Sequence, residues 1–156
     1  MSYILAAVLI YALDQGSKVL IRSHMMPGDQ FSVIHGLLSI HYIQNQGAAF
    51  GILSSSGRLL EMIPIVVILA VLIVVMINKY MHPFCKYALI MVAAGGLGNL
   101  TDRVLFGRVT DMISFSFFPP IFNVADIAIT TGCMMIAVYV LFGERFRRTS
   151  GSRRRR

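Results

Sequence analysis

Few side chains of this chain can do chemistry. It has 156 residues, seven Asp and Glu against 14 Lys and Arg, and charged residues make up only 13%. Asp14, Lys18, Asn99, Asp102, Arg103, Asn123 and Asp126 stand in apolar stretches, and Asp111 lies between two of them. An ionisable group in such a setting is costly, so each one needs a partner or a purpose. Carboxylates placed this way can pair with a base, hold a cation, relay protons or act as general acid and base. Asp14 and Lys18 form an i,i+4 acid-then-base pair, the favourable order on a helix. Gly95, Asn99 and Asp102 follow i, i+4, i+7, and Asn123, Asp126 and Thr130 follow i, i+3, i+7, so each set shares a helix face. Other chemistries lack their residues. His24, His35, His41 and His82 have no zinc-protease spacing. There is no Gly-x-Ser-x-Gly nucleophile box, phosphate loop or nucleic-acid module. Neighbouring aspartates could in principle hold Mg²⁺, but the reading is of no metal and no cofactor.

These groups must be positioned by membrane helices. Apolar residues make up 56% of the chain, and mean hydropathy is +0.73, whereas soluble domains carry roughly 25% charged residues. Four windows are long and apolar enough to span a bilayer: 3–21, 59–78, 84–103 and 122–142. The first is not read as a removable signal peptide, since it lacks a basic start and is interrupted by Asp14 and Lys18. Seven of the 14 basic residues follow Glu144. With Lys79 and Lys86, they place both termini on the cytoplasmic side. The tail arginines read either as anionic-lipid contacts worth about 1 kcal/mol each or as an appended tag. Segments 22–58 and 104–121 are then extracytoplasmic, and 143–156 is a basic cytoplasmic tail. FSVIHGLLSIHYIQN around His35-Gly36 reads as a hairpin or small sheet on the membrane surface, and the Gly-rich stretch after it, 45–57, as a flap. Cys85 and Cys133 fall at different depths and read as packing residues. The expected fold is one integral membrane domain, 1–156. It is all-α with four transmembrane helices and a small β-rich subdomain between helices 1 and 2.

Depth along these helices organises the polar groups. Asp14 lies about 11 rises of 1.5 Å from the inner end of its helix, in the outer half. Asn99, Asp102 and Arg103 fall near the outer end of the third span, and Asn123 and Asp126 near the outer start of the fourth. Asp111 lies in the loop between them. Polar groups thus converge on one level near the outer surface. A small transporter using Asp14, Asp102 and Asp126 as an ion path is one reading, yet the inner halves of spans two to four hold no acid to continue that path. A noncatalytic interaction protein is another, and it gives no reason for the convergence.

Five segments, in order, resemble the lipoprotein signal peptidase (signal peptidase II) family: DQGSK at 14–18, NQGAAFG at 45–51, GGLGNLTDR at 95–103, VTDMISF at 109–115 and FNVADIAI at 122–129. Met112 stands where many relatives have Phe. The resemblance implies an intramembrane aspartyl endopeptidase of the bacterial inner membrane. Its substrates are diacylglyceryl prolipoproteins, cut just before the lipobox Cys near the extracytoplasmic surface. By the same matching the catalytic pair is Asp111 and Asp126, and Asn45, Gly47, Asn99, Arg103 and Asn123 position substrate or the pair. Asp14, Lys18 and Asp102 support the frame, with Asp102–Arg103 read as a structural ion pair. Membrane lipids are the other expected partners, nucleic acid is not one, and a monomer is expected because one chain carries both acids.

Overall fold

The computed structural model describes residues 2–47 and 57–152, with side chains for 2–47 and 62–143. Its elements run α1 (Ser2–His24), β1 (Gln30–Ile34), β2 (Leu38–Asn45), α2 (Gly57–Ile77), α3 (Pro83–Phe106), β3 (Val109–Phe115), β4 (Phe118–Phe122) and α4 (Val124–Ser152). Among the described residues, three helical stretches are long and apolar enough to cross a membrane: Ser2–His24, Pro83–Phe106 and Val124–Gly143. The described apolar part of α2, Met62–Ile77, is shorter. Large apolar side chains such as Leu13, Val66, Ile73 and Val140 are exposed, which suits a lipid rather than an aqueous surround.

Helix α3 is the centre of the bundle and packs on α1, α2 and α4. Small residues bring it close to its neighbours, as expected where no water drives helices together. A Cβ on Gly95 would come to 2.5 Å from the Ala125 carbonyl oxygen. One on Gly98 would collide with the Asp14 carboxylate. These two glycines therefore set how near α4 and α1 approach the polar face of α3.

The sheet differs from the expectation. Strands β1 to β4 form one antiparallel sheet in sequential order, so its second half comes from the connection between α3 and α4. Asp111, expected in a loop, lies on β3 opposite Ile43 of β2. The register slips between the Ile40–Ile113 and Ile43–Asp111 pairs, a bulge of the kind that re-aims side chains. It lies beside Met112, which is buried. Helix bounds shift too. Helix α1 continues to His24 and α3 to Phe106, where Gly107 in the left-handed region donates its N–H to the Arg103 carbonyl at 2.8 Å. Helix α4 begins at Val124 and runs to Ser152, through residues read from sequence as a tail, because Arg and Glu are good helix formers. Most of the expected 45–57 flap and the final arginine run lie outside the described residues.

Candidate active site

Two groups of acids meet where α1, α3 and α4 end beneath β3. The first is held by cations. Lys18 Nζ lies 2.9 Å from Asp14 and 3.6 Å from Asp102, and all three side chains are fully buried. Arg22, one turn further along α1, donates Nη1 to Asp102 at 3.2 Å and to the Thr110 hydroxyl at 3.1 Å. The Thr110 amide donates to the other Asp102 oxygen at 2.9 Å. Asp14 accepts from the Ala125 amide at 2.8 Å and from Gln15 at 3.0 Å. Asp14 thereby receives one of the unpaired N–H groups at the start of α4, and Asp102 anchors the strand that carries Asp111.

The second group is held by amides. Asp111 accepts from Asn123 Nδ2 at 2.7 Å on one oxygen and from Asn45 Nδ2 at 2.9 Å on the other. The Asn45 amide is oriented in turn by the Gly47 N–H, which donates to its oxygen at 2.8 Å. Asp126 accepts from Asn99 Nδ2 at 2.7 Å and from the Asn123 backbone N–H at 3.2 Å. In return the Asp126 backbone N–H donates to the Asn123 side-chain Oδ1 at 3.0 Å, a reciprocal cap at the start of α4. One residue, Asn123, thus touches both carboxylates. Asn99 joins the two groups, since its oxygen accepts from Lys18 at 3.0 Å and from Asn123 at 3.1 Å.

Electrostatics follow from this arrangement. Asp111 is only 3% exposed. Burial pushes its carboxyl from 3.8 up to about 6; the charge of Asp126 adds to the rise, while the Asn45 and Asn123 hydrogen bonds and the charge of Lys18 oppose it. Asp126 opens onto a cleft of about 470 Å³, walled by Phe118, Pro120 and Phe122 from β4 and by Ile127, Thr130 and Met134 from α4. This is an apolar channel ending at a carboxylate. Among the described residues, no three or more His, Cys, Asp or Glu side chains are grouped so as to hold a metal ion.

The structure brings together Asp14, Lys18, Asn45, Gly47, Asn99, Asp102, Asp111, Asn123 and Asp126 from the positions named by sequence. Asp102 forms ion pairs with Lys18 and Arg22 of α1. Arg103 is half-buried in the last turn of α3. Sequence reasoning missed Arg22 and Thr110. Arg22 had a signal, since Asp14, Lys18 and Arg22 run i, i+4, i+8 along one face of α1. Thr110 had only its place beside Asp111.

A helical bundle with buried acids gathered under a small sheet is the architecture of a membrane enzyme. Two solved structures described as a bacterial membrane enzyme, determined by the in meso method, superpose with a TM-score of 0.83 each. They are 37% and 38% identical to this chain, cover 90% of it, and are themselves covered to 87% and 92%. The family model for signal peptidase (SPase) II matches residues 6–142, and the chain belongs to that family of peptidases. Proteins named lipoprotein signal peptidase are similar over most of their length. The one from Caldanaerobacter subterraneus subsp. tengcongensis is 37% identical over 142 residues, covering 91% of this chain and 97% of the relative. One from Staphylococcus aureus is 38% identical over 141 residues, with 88% and 86% covered. That from Moorella thermoacetica is 33% identical over 141 residues, with 90% and 93% covered.

Proposed function

We propose that this chain is an aspartyl endopeptidase of the bacterial inner membrane that removes signal peptides from diacylglyceryl prolipoproteins, cutting just before the lipobox Cys. The observation that carries the reading is the double contact of Asn123, whose side chain holds Asp111 and whose backbone N–H holds Asp126, at the end of an apolar cleft. The name borne by the relatives supports the substrate class.

Hydrolysis by an activated water needs a general base and a general acid. Two interacting carboxylates favour a state in which they share one proton. The ionised member takes a proton from water, and the protonated member hydrogen-bonds the scissile carbonyl. As the tetrahedral intermediate collapses, that proton economy reverses and the amine leaves protonated. Asn45, Asn99 and Asn123 hold the pair in register. Gly47 fixes Asn45, and Arg103 contacts the substrate backbone or a lipid headgroup. Asp14, Lys18 and Asp102 form the rigid frame. The pair supplies both acid and base, so the proposed reaction takes no cofactor.

Placement suits the substrate. A diacylated Cys keeps its acyl chains in the bilayer, and the cleft of Phe118, Phe122 and Met134 offers them an apolar path to Asp126. In this reading α2 completes four spans, both termini are cytoplasmic, and the sheet covers the site at the extracytoplasmic surface. Both acids sit on one chain, so a monomer suffices. The test is cleavage of a diacylglyceryl-modified lipobox peptide by the purified protein. Cleavage before the Cys, unaffected by EDTA or PMSF and lost in Asp111→Asn and Asp126→Asn, is expected. Full activity in either variant would rule out the pair, and dependence on added metal would point to another hydrolase class.

A further inference from the structure

Successive residues of a strand point to opposite faces. Asp111 turns toward Asn45 and Asn123, while its neighbour Thr110 turns toward Arg22. On that reverse side of β3 lies a second hollow of about 340 Å³, lined by Arg22 and Arg108, by Tyr42, Gln44 and Thr110, and by Phe106. No acid lines it. Asp102 stands behind Arg22, but it is fully buried and already faces Lys18. Arg108 is exposed, so the hollow carries a cation that no described carboxylate in its wall balances.

The chemistry of the wall is specific. The Arg22 guanidinium lies 4.5 Å from the centre of the Phe106 ring. Its two hydrogen bonds both leave from Nη1. The Nη2–Nε edge, which can grip an oxyanion through two parallel bonds, is not engaged by them. Tyr42 and Gln44, which share a hydrogen bond of 2.9 Å, and Thr110 bring hydroxyl and amide groups. Leu105, which also lines the hollow, is 65% exposed, an apolar shoulder at the end of a helix apolar enough to span a membrane.

We propose that this hollow binds the phosphate of an anionic phospholipid whose headgroup is uncharged and hydroxylated. Arg22 and Arg108 take the phosphate, the Tyr42–Gln44–Thr110 wall takes the headgroup hydroxyls, and the acyl chains leave past the apolar shoulder at Leu105. A headgroup ending in an ammonium would meet two guanidinium groups and no acid among the described lining residues, which disfavours zwitterionic lipids. The diacylglyceryl group of the proposed substrate has no phosphate, so this site is distinct from the cleft at Asp126. Through Arg22 and Thr110 the bound lipid is tied to the strand that carries Asp111.

The full chain, purified in uncharged detergent, is titrated with phosphatidylglycerol, phosphatidylcholine or inorganic phosphate. Thermal unfolding and native mass spectrometry supply the readouts. Phosphatidylglycerol is expected to raise the unfolding midpoint and to remain as a single retained lipid, with phosphatidylcholine weaker. Arg108→Gln, at an exposed position, is expected to weaken that binding about fivefold, the effect of one cation near a lipid surface. Arg22→Lys keeps the charge but loses the bidentate edge, and is expected to bind more weakly than the unaltered chain. A variant carrying Arg153→Ser, Arg154→Ser, Arg155→Ser and Arg156→Ser together is expected to retain the single lipid. Equal affinity in Arg108→Gln and the unaltered chain, or loss confined to the tail variant, would overturn the proposal. Saturation by inorganic phosphate at equal affinity would overturn the lipid as its source.

Discussion

Asp14 and Asp102 are held by cations, whereas Asp111 and Asp126 are held by amides. In the first group two acids meet Lys18 and Arg22, and the charges balance. In the second, Asn45, Asn99 and Asn123 donate hydrogen bonds without bringing charge. Amide contacts fix the position of a carboxylate while leaving its charge uncompensated, and a shared proton relieves that charge. A balanced ion pair fixes position and has no such need. The two groups, linked through Asn99, therefore divide labour. On the proposed function, one builds the frame and the other keeps the freedom to exchange protons.

The largest separation between them should appear in turnover. Asp111→Asn and Asp126→Asn each remove a group that acid–base chemistry requires, and cleavage rates of the lipidated peptide should fall by about 10³-fold or more. Their thermal stability should fall little, because each change also removes an uncompensated charge, buried at Asp111 and half-buried at Asp126. A large stability loss instead would make the amide-held pair a structural element. The frame should behave in the opposite way. Lys18→Met leaves two buried acids without their shared cation, and breaking such a pair costs about 3–5 kcal/mol, measurable by chemical or thermal unfolding. An unchanged unfolding midpoint would erase the contrast. Gly98→Ala drives a methyl group into the Asp14 carboxylate, and about 1–3 kcal/mol of destabilisation is expected.

The smallest effect is in pH dependence. Folding raises the Asp111 pKa from 3.8 to about 6. Its protonation therefore favours the folded state, a contribution complete below the unfolded pKa and lost as pH rises through about 6. The proposed chemistry needs one proton on the pair, so activity should decline on the alkaline side. The Asn45 bond holds the Asp111 pKa down, so in Asn45→Ala the alkaline limb of the rate profile should move to higher pH. A limb that stays in place or moves to lower pH would remove Asn45 from the electrostatics of the pair.

Local signals carried much of this architecture. The long apolar stretches marked the helices, and the i,i+4 spacing of Asp14 and Lys18 marked an ion pair that the structure shows at 2.9 Å. Depth along the helices placed the polar residues at one level. Non-local pairing was not legible. Strand β2 meets β3 across two intervening helices, with Asn45 paired to Val109, and no local pattern announces such a partner. For that reason Asp111 looked like a loop acid and the sheet looked confined to one connection. The double role of Asn123 and the reach of Arg22 to Asp102 and Thr110 likewise depend on which helices pack together, through contacts such as that of Gly95 with Ala125.

The proposed mechanism requires Asp111 and Asp126 to interact strongly enough to share a proton. The most direct measurement is an infrared titration of the Asp111 carboxyl in the unaltered protein and in Asp126→Asn. Loss of the neighbouring charge should lower the Asp111 pKa from about 6, since Asp126 contributes to its rise. An Asp111 titration identical in the two proteins would contradict the account.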